Sequence, residues 1–489
     1  MALKRILIWY RNDLRVHDHE PLVYALKQRA EIIPVYCFDP RHFDTTAFGF
    51  PKTGSFRGQF LLDSVVDLRR SLQSLGSNLI IRQGKPEVII PELVQSLDIF
   101  AVLFHGEVTS EETAVEKKLK STLHKNGTKF KTFWGTTLYH PDNLPFDINH
   151  IPELFTTFRK DVEKQSTIEP ALAAPKRLPP LPATDPEIDL GDIPSLADLG
   201  LEPQSIDSRA VLQFKGGESE GLARLQDYFW QGNHLKDYKE TRNGMLGADY
   251  SSKFSPWLAH GCLSPRYIYW QVQDYEQQRL KNKSTYWLIF ELLWRDYFRF
   301  ICEKHGDRVF HLSGLRQMRF PWKTNWEQFE RWQTGTTGYP LVDANMLELA
   351  VTGFMSNRGR QNVASFLTKN LAIDWRIGAE WFESQLIDYD VCSNWGNWNY
   401  TAGVGNDARG FRYFNIEKQS RTYDPHGNYV RHWLPELAPL DENKIHKPWT
   451  LNGNQQKQFG VVLDKDYPKP IIDFWDSIKK NERLYASNG

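Results

Sequence analysis

The sequence of 489 residues has few cysteines and no long apolar run. Its four cysteines, Cys37, Cys262, Cys302 and Cys392, are widely spaced and form no CxxC pair, which argues against a disulfide framework or a zinc knuckle. No apolar stretch reaches the roughly 18 residues of a membrane span, and the opening MALKRILIWYRNDLR lacks a signal-peptide core. We therefore expect a cytoplasmic protein that does not span a membrane.

An excess of charge of either sign is also absent. The chain has 60 Lys and Arg residues against 60 Asp and Glu residues, so a polybasic nucleic-acid binder is excluded by composition. Any contact with DNA must come from a local patch. With 25% charged and 13% aromatic residues the chain is not disordered, and its length allows two to four globular units.

The first part of the sequence alternates short β-branched runs with stretches of helical spacing. The runs cover residues 5–10, 31–38, 78–84, 98–106 and 129–135. This alternation predicts an α/β domain over residues 1–135, with a doubly wound parallel sheet whose ligands lie beyond the carboxyl ends of the strands. There is no GxGxxG after the first run and no GKS or GKT loop, so the usual dinucleotide and phosphate-loop interpretations lack support.

The rest of the chain is predicted as a linker, 136–210, and a helical domain, 211–489. Within the linker, residues 170–207 contain eight prolines and seven acidic residues against two basic ones, so we expect an extended surface segment that buries no apolar area. From about 218 to 435 only helical apolar spacing recurs. The polar tail is expected to be irregular, with one short helix over 471–482.

Tryptophan is the residue type in surplus. Of 17 tryptophans, only Trp9 and Trp134 precede residue 200. Tryptophan usually packs in the core, where its indole N–H finds one partner. Packing is therefore the default interpretation for each of them.

Two short motifs suggest chemistry that their context does not support. GESEG (217–221) matches a nucleophile elbow with Ser219 as nucleophile, but a linker precedes it and only helices follow. HDHE (17–20) resembles a metal cluster, but its side chains point in different directions and no further ligand has a known spacing. We interpret the first as a helix start and the second as a surface turn, and we expect no metal site.

Charged and amide residues are concentrated between apolar helices in the second half. Glu291 and Arg295 stand at i and i+4 in YWLIFELLWRDYFR, which predicts an ion pair that is either structural or functional. Segments 356–362, 374–376 and 386–400 are expected to be largely loop-like, because Asn, Asp and Gly are poor in helix interiors. Such segments can present amides and carboxylates to a polar heteroaromatic ligand.

Several longer motifs resemble the photolyase/cryptochrome superfamily of light-driven flavoproteins. The likeness runs from WYRNDLR (9–15) to WLPEL (433–437). FKGGE (214–218) leading into residues 223–225 is similar to the entry to the helical domain in the cryptochrome DASH branch. The resemblance implies an N-terminal photolyase α/β domain and an all-helical C-terminal domain that binds a folded FAD.

The resemblance also implies which residues surround FAD. Carried over position by position, they are Tyr238, Ser251, Ser252, Lys253, Phe254, Ser255, Glu291, Arg295, Asn357, Arg360, Asp388, Asp390 and Asn394. In this family the equivalents of Arg360 and Asp388 pair beside the isoalloxazine, and the equivalent of Asn394 faces its N5. The hydroxyl and N–H groups of 251–255 suit an anionic diphosphate.

Three tryptophans acquire a catalytic role under this resemblance. Trp398, Trp375 and Trp322 fall on the family's electron-transfer chain, which carries an electron from the protein surface to the photoexcited flavin. Indole suits this role because it is oxidisable, and the protein contributes positioning and electrostatics.

The family's repair members flip a cyclobutane pyrimidine dimer out of DNA and split it with one electron from excited reduced FAD. Glu291 would hydrogen-bond the base of the dimer, with Asn357 nearby, and Trp294 would provide a stacking wall. This chain has Gln361 where duplex-repairing members carry Met, and Tyr400 where they carry Trp. The more polar wall implies a preference for dimers in single-stranded DNA, where extrusion costs least.

Two further sets of contacts are expected. The basic residues that could hold DNA phosphates are Arg316, Arg319, Lys323, Arg409, Arg412 and Arg421, with a solvated charged face as the alternative. The DASH branch is associated with a folate antenna, 5,10-methenyltetrahydrofolate, and His105, Gly106 and Glu107 are its expected contact.

The resemblance therefore implies a blue-light-driven, FAD-dependent photolyase that acts as a monomer on DNA. The alternative is a blue-light photoreceptor that binds DNA or a partner and regulates transcription. The altered residues Gln361 and Tyr400 favour this alternative, whereas a signalling role usually goes with a long extra C-terminal tail. A serine hydrolase at Ser219 would contain no chromophore.

Overall fold

The amino-terminal part of the chain forms a five-stranded parallel sheet, which confirms the predicted alternation. The computed structural model describes residues 4–184, 186–407 and 410–488. Its strands are β1 (Arg5–Tyr10), β2 (Glu31–Phe38), β3 (Ile80–Gln83), β4 (Ala101–His105) and β5 (Lys129–Phe133). They lie in the order β3-β2-β1-β4-β5, and each neighbouring pair is parallel.

Helices cover both faces of this sheet. They are α1 (Glu20–Lys27), α2 (Ser55–Ser74), α3 (Pro86–Ser96) and α4 (Ser110–Lys125). Ile6 and Ile8 of β1 belong to one core and the alternating Leu7 and Trp9 to another, because successive side chains of a strand point to opposite faces. The chain order reverses between β1 and β4, which places a crevice beyond their carboxyl ends.

The predicted linker is more ordered than its composition suggests. It contains the helix α5 (Phe155–Gln165), which buries Phe158. Over 170–207 the chain is mostly extended as expected, but it buries Leu178, Leu196 and Leu199, so the expectation of no apolar burial was wrong. Leucines between the prolines reach the core because the backbone is anchored, for example by the Leu178 N–H to the carbonyl of Leu75 at 2.8 Å.

The remainder of the chain is helical, as predicted. Its helices begin with α6 (Glu218–Gln226), α7 (Tyr238–Thr241), α8 (Ser255–Ala259), α9 (Pro265–Gln278), α10 (Lys283–His305), α11 (Trp326–Gln333) and α12 (Pro340–Thr352). They continue with α13 (Asn357–Ser365), α14 (Trp375–Gln385), α15 (Val391–Ala402), α16 (Ile416–Tyr423), α17 (Asn428–Trp433), α18 (Gly453–Phe459) and α19 (Phe474–Asn488). The tail thus contains a helix, α18, that the sequence prediction missed. In the described part of the chain, no helix is long and apolar enough to cross a membrane.

The structure confirms the interpretation of GESEG (217–221) but not that of HDHE (17–20). Ser219 lies in the first turn of α6, as expected, and its N–H donates to Asp67 Oδ2 at 3.0 Å. The HDHE segment is not a surface turn, because His17, Asp18 and His19 are buried.

Partners contributed by the helical part of the chain explain why the HDHE segment is buried. His17 Nδ1 forms a short hydrogen bond with Glu218. Asp18 Oδ1 accepts from Arg266 Nη2 at 2.6 Å. A buried charge is stable only when it is paired, so the segment joins the sheet region to the helices.

Candidate cofactor and substrate site

Three consecutive helices of the second half begin with a side-chain cap. Ser356 Oγ accepts from the N–H of Gly359 at 2.9 Å before α13. Asp374 Oδ1 accepts from the N–H of Arg376 at 3.0 Å before α14. The loop-like expectation for these segments was therefore wrong, because Ser and Asp at such positions start helices.

The third cap connects this region to α10. Asp390 Oδ1 accepts from the N–H of Ser393 at 2.7 Å at the start of α15. Arg295 Nη2 lies 4.0 Å from Asp390 Oδ2. Although burial opposes it, Arg295 and the bonds to Ser393 hold the pKa of Asp390 below its usual value.

Arg360 and Asp388 form the central ion pair of the candidate site. Arg360 Nη2 donates to Asp388 Oδ2 at 2.8 Å, and Arg360 Nε donates to the carbonyl of Met355 at 2.9 Å. The other oxygen, Asp388 Oδ1, and the Tyr250 hydroxyl are buried without a hydrogen-bond partner among the described residues. A buried acceptor and a buried hydroxyl beside a fixed guanidinium fit a ligand that both donates and accepts hydrogen bonds.

Asn394 and Tyr238 are two further residues of the predicted cofactor site. Asn394 Nδ2 donates to the carbonyl of Ala379 at 3.0 Å, which fixes the orientation of the amide. Tyr238 is buried at the start of α7, and burial together with the nearby Glu291 carboxylate raises its pKa.

The SSKFS segment leads into α8 and is held in place by one arginine. Arg224 Nε donates to the carbonyl of Ser252 at 3.1 Å, and its Nη2 donates to that of Ser251 at 3.3 Å. Ser255 is the first residue of α8, and Phe254 before it is buried.

Lys253 within this segment has an unusual environment. Its backbone φ is 54°, and its ammonium lies 3.9 Å from the centre of the Tyr250 ring and 4.7 Å from that of Phe354. Burial lowers the pKa of Lys253 to about 7, an effect that Glu348 opposes. A bound anion would restore the charged form, so the segment fits a phosphate-containing ligand.

Glu291 does not form the predicted ion pair with Arg295. Its Oε1 lies 2.7 Å from Nη1 of Arg242, a residue distant in sequence. Burial raises the pKa of Glu291, and the charge of Arg242 partly offsets this. Arg295 instead donates to the carbonyls of Thr136 and Leu258, the latter at 3.2 Å.

The residue after Arg242 extends this arrangement to α13. Arg358 Nη2 donates to Asn243 Oδ1 at 2.9 Å, and Arg358 Nη1 donates to Gln361 Oε1, also at 2.9 Å. Adjacent residues of one turn thus bring Glu291 of α10 and Gln361 of α13 to the same side of the site. Asn357, in the first turn of α13, is exposed.

Trp294 and Tyr400 form an aromatic corner next to Glu291 on α10. Their ring centres are 5.9 Å apart, and their planes are nearly perpendicular at 80°. The Trp294 ring also stacks on Phe155 of α5 with a centroid separation of 3.6 Å. One face of the predicted stacking wall is therefore already covered by protein.

The three predicted electron carriers lie on neighbouring elements, and the predicted outermost one is the most exposed. Trp398 and Trp375 are buried, whereas Trp322 is partly exposed. A side chain at Gly378 of α14 would clash with the Trp398 ring, so that ring packs directly on α14. The Lys323 N–H donates to the carbonyl of Ala372 at 2.8 Å, which places the segment of Trp322 beside the start of α14.

The six basic residues predicted to hold DNA phosphates do not share one environment. Arg412 is exposed and lies 5.3 Å from the Phe414 ring centre, and its charge acts on Arg358, so it belongs to the side of Gln361. Arg316 Nη1 instead lies 3.3 Å from the Tyr485 hydroxyl of α19.

The other basic residues are also distributed. Lys323 is exposed, and burial of part of its side chain and the charge of Lys480 lower its pKa. Arg319 is exposed. Arg421 Nε pairs with Glu417 at 3.2 Å. Arg409 lies outside the described residues.

The predicted folate contact lies where the sheet meets α10. Glu107 Oε2 is 2.9 Å from Arg299 Nη2, and the same guanidinium nitrogen donates to the carbonyl of Gly106 at 3.0 Å. His105 is buried, and its Nδ1 lies 2.6 Å from Asp13 Oδ2. The edge beyond β4 is thus fixed against the helical region.

One candidate metal group contrasts with the expectation of no metal site. Ligand atoms of Asp13, His19 and His105 lie within 4.8 Å of one another. His19 Nε2 is 2.9 Å from Asp13 Oδ2, and His19 Nδ1 accepts from the N–H of Leu22 at 3.2 Å. Hydrogen bonds therefore account for this arrangement of the three side chains.

Comparison with known proteins identifies the family. Residues 6–183 match DNA photolyase, and residues 287–487 match the FAD binding domain of DNA photolyase. Cryptochrome DASH from Gloeobacter violaceus is 66% identical over 485 residues, which are 99% of this chain and 96% of that relative. The chain belongs to the photolyase/cryptochrome family, in its cryptochrome DASH branch. The matched FAD-binding domain supports FAD as the cofactor.

Solved structures agree with this assignment. A cryptochrome from Synechocystis sp. superimposes with a TM-score of 0.96 at 57% identity and covers 99% of this chain and 100% of its own. A class III photolyase from Agrobacterium tumefaciens reaches 0.88 at 30% identity and covers 100% of this chain and 98% of its own.

Three residues of the site were not predicted from the sequence. Arg242 pairs with Glu291, Arg358 holds Gln361, and the Tyr250 hydroxyl lies buried at the central ion pair. Arg358 and Gln361 are spaced i, i+3, which is a signal that could have identified this contact. Arg242 and Tyr250 lie in a polar turn with no periodic pattern, so only the fold shows their position.

Proposed function

We propose that the protein is a blue-light-driven, FAD-dependent photolyase that splits cyclobutane pyrimidine dimers, with a preference for single-stranded DNA. The observation that carries this proposal is that Glu291, held by Arg242, lies beside the aromatic corner of Trp294 and Tyr400. This set combines a hydrogen-bonding carboxyl with a stacking surface, which a flipped pair of bases requires.

Residues on the opposite side would hold the cofactor. Arg360 and Asp388 would hold the polar edge of the ring system, and the segment with Lys253 would receive the diphosphate. When bound, FAD supplies the absorption of light and the single electron that opens the dimer. The bonds to Ala379 and Arg360 hold the Asn394 amide and the Asp388 carboxylate in position for it.

The preference for single-stranded DNA rests on Gln361 and Tyr400. Gln361 is hydrogen-bonded to Arg358, so the wall at this point is polar and already satisfied by protein. Such a wall gains less from apolar contact with an extruded dimer, and the cost of extrusion is smallest in a single strand.

The direct test is illumination of the purified, reduced protein with dimer-containing oligonucleotides, single-stranded and duplex. We expect repair of the single strand and weaker repair of the duplex. Absence of repair on both would refute the enzymatic proposal. The absorption spectrum of the purified protein serves as a control, because a chromophore-free protein would refute the cofactor as well.

A light-dependent DNA-binding regulator is the second candidate, favoured by the same polar contact between Gln361 and Arg358. It predicts DNA binding that changes on illumination, without loss of dimers. Measuring affinity for undamaged single-stranded DNA in the dark and in blue light separates the two candidates.

A folate antenna is the remaining part of the proposal. The support is the location of Glu107 at the reversal of chain order between β1 and β4, where ligands of such sheets bind. We expect Glu107→Ala to remove a second chromophore from the absorption spectrum and to leave the flavin bands. Retention of the second chromophore would contradict this assignment.

A further inference from the structure

Trp375 has a second aromatic neighbour besides the predicted electron-transfer chain. The ring centres of Trp375 and Trp395 are 5.6 Å apart, with planes at 79°. Trp395 is buried on α15, and Phe310 covers it at 4.9 Å. Rings at this separation are in contact, so an electron can pass between them as readily as between other packed indoles.

Trp395 in turn contacts a buried phenol. Its Nε1 donates to the hydroxyl oxygen of Tyr389 at 3.3 Å. Because Tyr389 accepts this hydrogen bond, its own O–H proton remains available for another acceptor.

Glu383 of α14 is placed to be that acceptor. Burial raises the pKa of Glu383 to about 7, and the charge of Arg57 and a hydrogen bond with Tyr389 limit this rise. Burial and the Glu383 carboxylate both raise the pKa of Tyr389. A carboxylate that is more basic than usual beside a phenol is a suitable proton acceptor.

Arg57 of α2 determines how Tyr389 can be oxidised. Its guanidinium carbon lies 4.7 Å from the centre of the Tyr389 ring. A cation at this distance opposes formation of a positively charged ring but has little effect on a neutral radical. Loss of the electron together with the proton is therefore favoured over loss of the electron alone.

Trp322, at the end of the predicted electron-transfer chain, has different surroundings from Tyr389. Trp322 is partly exposed, and its Nε1 is buried with no hydrogen-bond partner in the described part of the chain. Tyr389, by contrast, has Glu383 beside its hydroxyl.

We propose that Trp395 and Tyr389 form a second branch of the electron-transfer chain from Trp375, with Glu383 as the acceptor of the phenolic proton. This proposal rests on the proposed function, because light must first oxidise Trp375. One electron then passes from Trp395 to the oxidised Trp375, and one passes from Tyr389 to Trp395. The O–H bond of Tyr389 breaks as its proton binds the Glu383 carboxylate. The products are two neutral indoles, a neutral tyrosyl radical and a protonated Glu383.

The experiment uses the flavin-loaded protein with Trp322→Phe, which removes the outermost electron donor of the predicted chain. Electron paramagnetic resonance after a light pulse identifies the radical, and ring-deuterated tyrosine shows whether it resides on tyrosine. We expect a tyrosyl signal that narrows on deuteration. Adding Tyr389→Phe or Trp395→Phe should abolish it, and adding Glu383→Gln should reduce it severalfold.

A matched control is Tyr269→Phe in the same background. Tyr269 is partly buried on α9 and contacts Trp270 at 5.3 Å, so its loss should leave the signal unchanged. A tyrosyl signal that survives Tyr389→Phe, or tryptophan radicals alone in the Trp322→Phe protein, would overturn the branch and leave the proposed function intact. If neither tryptophan nor tyrosine radicals form in the unmodified protein, light does not oxidise Trp375 and the branch is refuted, whereas repair by chemically pre-reduced protein still tests the proposed function separately.

Discussion

The two sides of the cofactor site differ in the chemistry of their side chains. The polar group consists of Arg242, Glu291, Asn357, Arg358 and Gln361. Arg242 pairs with Glu291, Arg358 donates to Gln361, and Asn357 is exposed. The tryptophan group, consisting of Trp322, Trp375 and Trp398, is largely buried. We therefore expect the proposed substrate recognition and the proposed electron supply to use separate residues, so substitution should impair one and spare the other.

The largest effect is expected for Trp398→Phe. Removing the indole that the family resemblance places first in the electron-transfer chain should slow photoreduction of oxidised FAD on the order of 100-fold, equivalent to about 2.7 kcal/mol of barrier. Repair by chemically pre-reduced protein should remain near normal, because no electron is then drawn from the tryptophan group. Transient absorption and a repair assay on one preparation measure both. Unchanged photoreduction would show that Trp398 does not belong to the electron-transfer chain.

Glu291→Gln should give the reverse pattern. A hydrogen bond to a charged group contributes about 1.5–3 kcal/mol, so repair should fall roughly 10-fold to 100-fold. Photoreduction should be unchanged, because Glu291 does not belong to the tryptophan group. Glu303→Gln is the matched control, since Glu303 is an exposed glutamate of the same helix. Equal losses in both variants would contradict a specific role of Glu291.

Asp296 on α10 belongs to neither group, and its protonation affects stability. Its Oδ2 accepts from the N–H groups of Leu138 and Tyr139 at 2.9 and 3.2 Å. Burial raises the pKa of Asp296 to about 7, well above the value of about 3.9 in an unfolded chain. The folded state therefore binds a proton that the unfolded state has lost, and this contribution to stability is full below about pH 4 and falls as the pH rises towards 7.

Asp296→Asn should remove this dependence. Between pH 4 and 7 the free energy of unfolding of the variant should fall less steeply than that of the unmodified protein, by up to about 1.4 kcal/mol per pH unit. Denaturant unfolding at several pH values measures the slope. If the free energy of unfolding of both proteins changed with pH at the same slope, Asp296 would not titrate in this range.

The smallest effect is expected for Arg412→Gln, at the edge of the polar group. Loss of one phosphate contact should weaken binding of single-stranded DNA a few-fold and lower the salt slope by about 1. Arg421→Gln is the control, because Arg421 is already paired with Glu417 and should matter less. Fluorescence anisotropy across a salt series measures both. Equal slopes for the two variants would place Arg412 outside the DNA contact.

The fold could be predicted from the sequence wherever apolar residues recur at strand or helix spacing. The five strands appear where β-branched runs occur, and the helical part follows its apolar spacing. The starts of α13 and α14 were mistaken for loops, because Ser356 and Asp374 cap helices with the same residue types that form turns.

Among the contacts between the predicted site residues, one ion pair was predicted correctly and another was not. The resemblance located Arg360 and Asp388, which do pair. Helical spacing assigned Arg295 to Glu291, whereas the fold supplies Arg242 from a distant turn. Burial of the HDHE segment likewise depends on Glu218 and Arg266, which no local pattern reveals.

The central claim, that one side of the site recognises a dimer and the other supplies electrons, is tested most directly by one crossed measurement. Repair of a dimer in single-stranded DNA by pre-reduced protein, and photoreduction of oxidised protein, are measured for Glu291→Gln and Trp398→Phe. We expect Glu291→Gln to lose repair and retain photoreduction, and Trp398→Phe to retain repair and lose photoreduction. Loss of both activities in both flavin-containing variants, or no repair by the unmodified protein, would contradict it.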